Sequence, residues 1–106
     1  MKKLSEYATT DINTLTQNGK YMLFFKADWC PDCKFIEPFM PEIAADYPDY
    51  QFIEVDRDEF MDLAKDLGIM GIPSFVAFKD GQEIGRFVNK DRKTKPEVES
   101  FIDSLN

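Results

Sequence analysis

Two cysteines, the only two in the chain, stand at i and i+3 in the stretch Asp28-Trp29-Cys30-Pro31-Asp32-Cys33-Lys34. A thiol pair at this spacing is suited to three kinds of chemistry: a reversible dithiol–disulfide couple, half of a metal site, or a structural bridge. A purely structural bridge gains little. Closing so short a loop is worth roughly 2 kcal/mol at best before strain, against ~3 for fifteen residues. A structural zinc centre wants four ligands, usually Cys or Cys with His, and the chain has two cysteines and no histidine. A metal or iron–sulfur cluster shared by two chains through the CxxC stays open. The lack of histidine also removes Cys-His and Ser-His catalysis.

The redox alternative carries its own mechanism. A cysteine that opens a helix meets unpaired backbone N–H groups and the positive end of the helix dipole, and both favour a thiolate. Pro31 suits the first helical position, where a missing N–H costs nothing. One cysteine then attacks a disulfide and the other, one turn deeper, resolves the mixed disulfide. Asp32 sits between them with two possible meanings. Its charge disfavours a nearby thiolate and so tunes the couple, or it is a residue favoured at helix starts. Lys26 either offsets Asp32 or is a solvated strand end.

Positioning such a pair requires a strand that ends before it and a helix that begins at it. Tyr21–Phe25 is a short apolar run and reads as a buried strand. The following helix is expected to carry Phe35, Ile36, Phe39, Met40, Ile43 and Ala44 on its core side, with a kink at Pro38. Tyr50–Val55 reads as a second strand, and 59–67 as a short helix stopped by Gly68. Ser74–Phe78 and Glu83–Val88 flank a turn at Asp80-Gly81 and read as a hairpin. Thr94-Lys95-Pro96-Glu97 is a capping box before a last helix. Leu4, Tyr7, Ala8, Ile12 and Leu15 recur at helical spacing, so the N-terminal segment is expected to be helix. The order predicts an α/β layer architecture in one domain, 1–106, with the first two strands parallel.

Bulk properties bound the function. The chain has 106 residues, 43% of them hydrophobic, and a net charge of −7. That balance argues against nucleic acid or an anionic membrane as partner. The N-terminal residues lack the apolar core of a signal peptide, which gives the expectation of a cytoplasmic protein.

The stretches FFKADWCPDCKFIEP and GIPSFVAFKDG, with the order of elements, resemble the thioredoxin family over nearly the whole chain. The resemblance implies a thioredoxin fold, a central mixed sheet of four or five strands flanked by helices. It implies a monomeric thiol–disulfide oxidoreductase that acts on disulfide-containing protein substrates, takes electrons from a reductase and needs no bound cofactor or metal. By the same resemblance Cys30 is the nucleophile and Cys33 the resolving thiol. Trp29, Ile72, Pro73 and Asn89 line the substrate groove, Pro73 follows a cis peptide bond, and Pro31, Asp32 and Lys26 tune the couple. The chain also departs from the family. Phe24 and Phe52 stand where thioredoxins bury an aspartate and often a lysine. Lys26 replaces an aromatic, and Asn89 stands where the rim glycine is expected. The run Lys90-Asp91-Arg92-Lys93 would lie beside that rim as a solvated loop or as an attractor of acidic partners. The rival reading is a non-catalytic binding module of the same fold.

Overall fold

In the computed structural model, which describes residues 1–105, the fold is organised around strand β2, Lys20–Lys26. From Met22 onward this strand is buried, as expected of a strand covered on both faces and therefore apolar on both. It pairs in parallel with β3, Tyr50–Asp56, and antiparallel with β4, Ser74–Lys79. β5, Gln82–Phe87, closes a hairpin with β4, and a two-residue β1, Lys2–Lys3, runs parallel to β3 at the far edge. The sheet is therefore mixed and five-stranded, in the order β1-β3-β2-β4-β5. Among the described residues, no helix is long and apolar enough to cross a membrane.

Alternation along the strands sorts the core into two layers. Leu23, Phe25, Ile53, Val55, Val76 and Phe78 form one with Leu4, Ile12, Ala64 and both cysteines. Met22, Phe24, Phe52, Phe75 and Ala77 form the other with Ile36, Met40, Ile43, Val98 and Ile102. Phe24 and Phe75, partners in the β2–β4 register, stack at 5.0 Å between ring centroids.

The N-terminal segment departs from the expected helix. After β1, Leu4–Glu6 makes one 3-10 turn, and only α1, Ile12–Leu15, is α-helical. Leu4 and Ile12 are buried as the periodicity demands, whereas Ala8 is exposed. Thr9-Thr10-Asp11 separates the two turns. Such residues compete for backbone hydrogen bonds and favour caps over helix interiors, and Asp11 is the N-cap of α1.

The helix after the cysteines is divided into α2, Pro31–Ile36, a 3-10 turn at Glu37–Phe39, and α3, Met40–Asp46. Pro38 lies in the tight turn, and Pro41 opens α3, a position where its missing N–H is harmless. The expected kink is thus a change of winding. Ile36, Met40 and Ile43 form the stripe on the sheet, but Phe35 and Phe39, expected on the core side, are each 38% exposed. Both sets have helical spacing, and a single apolar stripe suffices to face the sheet.

The remaining elements follow their local signals. α4, Met61–Asp66, ends before Gly68, which takes the left-handed conformation (φ +68°). Asp80 and Gly81 both have positive φ, as a two-residue type I′ hairpin requires. Thr94 and Glu97 complete the reciprocal capping box that starts α5, Lys95–Asp103.

Phe24 and Phe52 keep 0% and 5% of their surface, so charging them should be costly. Phe24→Asp should destabilise the fold by roughly 3–5 kcal/mol, from the lost ring and an unpaired buried acid. Adding Phe52→Lys should recover part of that loss as a favourable coupling in a double-mutant cycle. Denaturant melts of the four proteins measure it; a cost under about 1 kcal/mol for Phe24→Asp would mean a solvated position.

Candidate active site

β2 ends at Lys26, and Ala27 through Trp29 carry the chain to Cys30, the N-cap of α2. Cys30 is extended at its backbone (φ −87°, ψ 109°) and Pro31 takes the first turn. This geometry aims the side chain back along the helix start, where the Cys33 amide donates a hydrogen bond to Cys30 Sγ at 3.1 Å. The two cysteines are joined as a disulfide, their Cα atoms 5.2 Å apart. Cys30 retains 4% exposure and Cys33 none. The pair can therefore cycle between disulfide and dithiol, with the more accessible sulfur also the one that a backbone donor would stabilise as thiolate.

A second segment closes over this sulfur. The Ile72–Pro73 peptide is cis, and the Ile72 carbonyl oxygen lies 3.9 Å from Cys30 Sγ. Gly71, just before it, packs against the backbone of Asn89 and Lys90. A Cβ on Gly71 would come within 2.5 Å of Asn89 C and Lys90 N. Ser74 reinforces the junction, its hydroxyl donating to the carbonyl of Gly71 and that of Asn89. Asn89 itself is exposed and joins the site through this backbone contact. Trp29 is 59% exposed, a surface aromatic and not a core one. Its indole N–H donates to Asp58 at 2.7 Å, and the Arg57 guanidinium lies 5.3 Å from its ring centre.

The charged residues are arranged otherwise than expected. Asp32 faces Arg92, whose Nε donates to it at 3.0 Å, and the same guanidinium covers the Phe35 ring at 4.5 Å. Lys26 neither offsets Asp32 nor ends in solvent: it is 7% exposed. Its ammonium is 3.0 Å from Glu37, 3.1 Å from Asp28 and 3.9 Å from Glu54. Burial alone would pull the Lys26 pKa down, but hydrogen bonds to Glu37 and Asp28 and the nearby negative charges outweigh it and hold the pKa up at about 12. The run 90–93 is only partly solvated. Lys93 is buried, donating to the Asn89 carbonyl and side chain and to the Asp91 carbonyl.

Arg57, Asp58, Gly71, Ser74 and Arg92 were not legible as site residues from sequence. Arg57-Asp58, directly after β3, and the run 90–93 are charged, but only the fold says which site they reach. Among the described residues, no group of three or more His, Cys, Asp or Glu side chains is arranged to hold a metal ion.

Two outcomes follow. Asp32→Gly should lower the pH at which Cys30 becomes a thiolate, and Arg92→Ala should raise it, because each removes one sign of charge near the sulfur. Both partners are partly exposed, so the shifts should be modest. Thiolate absorbance against pH reads both, and shifts of the same sign would remove the pair from the site's electrostatics. Gly71→Ala should cost about 1–3 kcal/mol by overpacking, seen in denaturant melts; a neutral result would mean the two rim segments part easily.

The Thioredoxin family profile matches residues 5–104. The chain is 40% identical over 76 residues to mitochondrial Thioredoxin-3 of Saccharomyces cerevisiae, covering 72% of this chain and 60% of that protein. It is 32% identical over 101 residues to Thioredoxin of Sus scrofa, covering 95% and 93%. Among solved structures, oxidised mitochondrial Thioredoxin 3 of Saccharomyces cerevisiae superposes with a TM-score of 0.72 at 32% identity, covering 97% and 92% of the two chains. Thioredoxin of Malassezia sympodialis gives 0.80 at 29% identity, covering 98% and 91%. A profile match over residues 5–104 and a relative 32% identical over 95% of this chain, on a sheet that carries a helix-start disulfide, establish that the chain belongs to the thioredoxin family.

Proposed function

We propose that the protein is a thiol–disulfide oxidoreductase that reduces disulfides of protein substrates through a Cys30/Cys33 couple. The observation that carries this reading is the disulfide at the start of α2, with the Cys33 amide directed at Cys30 Sγ. In the reduced protein that hydrogen bond favours a Cys30 thiolate. The thiolate attacks one sulfur of the substrate disulfide, and the other leaves as a thiolate that takes up a proton. Cys33 then attacks Cys30 Sγ, the bond from Cys30 to the substrate breaks, and the second substrate thiol departs. Two electrons pass from the dithiol to the substrate, and the protein is left with the Cys30–Cys33 disulfide.

The remaining residues take supporting roles. Trp29, Ile72, Pro73 and the Asn89 backbone form the groove that receives the substrate strand. Asp32, paired with Arg92, adjusts the couple beside Pro31. The ion pairs of Lys26 direct it away from Asp32, so its contribution to tuning runs through Glu37 and Asp28. A reductase that renews the dithiol is the expected electron donor, and the protein works as a monomer without a bound cofactor. The −7 net charge suits a soluble compartment, and the cytoplasm is our reading. The mitochondrial relatives make the mitochondrion the second location to test.

The purified protein should catalyse dithiol-driven reduction of a protein disulfide such as insulin. Cys30→Ser should abolish turnover. Cys33→Ser should keep the nucleophile and stall as a mixed disulfide, resolved as a mass shift under non-reducing conditions. Absence of turnover in the wild type, together with failure of Cys33→Ser to trap a substrate, would sink this reading.

A further inference from the structure

The charged run Lys90-Asp91-Arg92-Lys93 has no part in the disulfide exchange itself, yet through Arg92 it reaches the cysteine helix. We propose that the Nη1 and Nη2 groups of Arg92 receive a carboxylate that a protein substrate carries close to its disulfide, so that the protein favours disulfides flanked by acidic residues. The inference rests on the oxidoreductase reading and names the substrate class of that site.

Arg92 has donors to spare. A guanidinium presents its N–H donors as a planar fork that matches a carboxylate. Arg86 uses that fork on its own neighbour, with Nε 2.8 Å and Nη2 2.7 Å from the two oxygens of Glu83. Arg92 does otherwise. Its Nε alone donates, to Asp32 at 3.0 Å, and among the described residues neither terminal nitrogen has a hydrogen-bond partner. The side chain is 54% exposed, so an incoming group can reach it. The fork is also held in place. Asp32 fixes Nε, and the guanidinium lies 4.5 Å from the centre of the Phe35 ring. The backbone behind it is pinned by the buried Lys93, which donates to the carbonyls of Asn89 and Asp91 and to the Asn89 side chain. The Asp91 amide donates to that same side-chain oxygen. A receptor ordered in advance loses little freedom when its ligand binds. Finally, the position borders the reactive sulfur. A circuit of contacts runs from Cys30 along the helix start to Asp32, across to Arg92, back along the loop to Asn89, and across to Gly71 and Ile72, whose carbonyl lies 3.9 Å from Cys30 Sγ. A substrate strand that brings a sulfur to Cys30 approaches inside this rim.

The charge balance of the rim agrees with an acidic ligand. Lys90, Arg92 and Lys93 outnumber Asp91, and Asp32 cancels one more cation, so this edge is locally positive on a chain whose net charge is −7. Lys90 contributes charge without a fork, whereas Arg92 offers two donors side by side. A carboxylate bound end-on to Nη1 and Nη2 leaves the Nε bond to Asp32 in place, so recognition keeps the pairing that offsets Asp32. Asp32 and Asp91 repel the same carboxylate, which makes the preference modest. The electron transfer is unchanged: Cys30 attacks, Cys33 resolves, and Arg92 selects which disulfide is presented.

A single-turnover peptide series tests the assignment. Each peptide carries its cysteine as an uncharged pyridyl disulfide, with Glu or Gln scanned along both sides, and release of thiopyridone by the reduced protein gives a second-order rate constant. At low ionic strength wild type should attack the best-placed Glu peptide about three- to fivefold faster than its Gln counterpart, the scale of an exposed ion pair. The preference should fade at high salt. In Arg92→Gln the ratio should fall to one or below, and Arg92→Lys, a cation without the fork, should keep only part of it. Lys79→Gln removes a positive charge at the Lys20 end of the sheet, away from the cysteines, and should leave the ratio as in wild type. The ratio is the readout because a changed Cys30 pKa moves both peptides of a pair alike. A wild-type ratio of one at every position overturns the assignment, as does a preference that Arg92→Gln retains or that Lys79→Gln removes equally. Oxidised glutathione runs alongside as a small disulfide with carboxylates, and sensitivity to Arg92→Gln confined to it overturns the choice of a protein segment as ligand. A wild type that releases thiopyridone from no peptide defeats the oxidoreductase reading, and this proposal falls with it.

Discussion

The hydrogen bond from the Cys33 amide to Cys30 Sγ is the interaction on which the rest of the site depends. It exists because the chain leaves a buried strand, turns through three residues and starts a helix at a residue whose side chain is also its cap. An ordinary cap oxygen would satisfy the same amide. Placing sulfur there makes the cap itself the reactive atom, so the local rule that starts the helix also favours the anion. The Ile72 carbonyl of the cis Ile72–Pro73 segment lies against that sulfur, Trp29 precedes it in the chain, and Arg92 pairs with Asp32 two residues after it.

How much of this was legible in the sequence follows from the range of each interaction. The cysteine helix, the Asp80-Gly81 hairpin and the Thr94 capping box were legible because each is decided by residues within four positions of one another. The N-terminal segment misled. Its apolar spacing fits a helix, but pairing of Lys2–Lys3 with β3 is a long-range contact that no local pattern announces. Phe35 and Phe39 misled in another way. Two adjacent stripes had helical spacing, and the choice between them is made by the sheet. Cys30 and Cys33 stand out as the chain's only cysteines, at CxxC spacing between a strand and a helix, while their separate roles, Trp29 and the Ile72-Pro73 step come by family resemblance. Arg92 was visible only as part of a charged run, because its partner Asp32 lies sixty positions away.

The distribution of buried charge has a physical logic. An ion pair deep in the sheet centre loses hydration that its own attraction barely restores, and the buried residues here are the apolar Phe24 and Phe52. At the sheet end the balance differs. Lys26 finds three carboxylates at the edge of a cavity, and its head stays paired. Polar chemistry is thus retained near the cysteines, and the interior is left to dispersion and area burial.

The meeting of Gly71 with the backbone of Asn89 and Lys90 has a consequence for how this protein can be altered. No side chain separates the two segments, so neither has slack to absorb a change in the other. The loop before Pro73 and the loop after β5 behave as a single inheritable module: transplanting one onto a related scaffold without its counterpart would leave a gap or a collision where the two backbones meet. Redesign of the groove therefore has to treat both loops as one cassette.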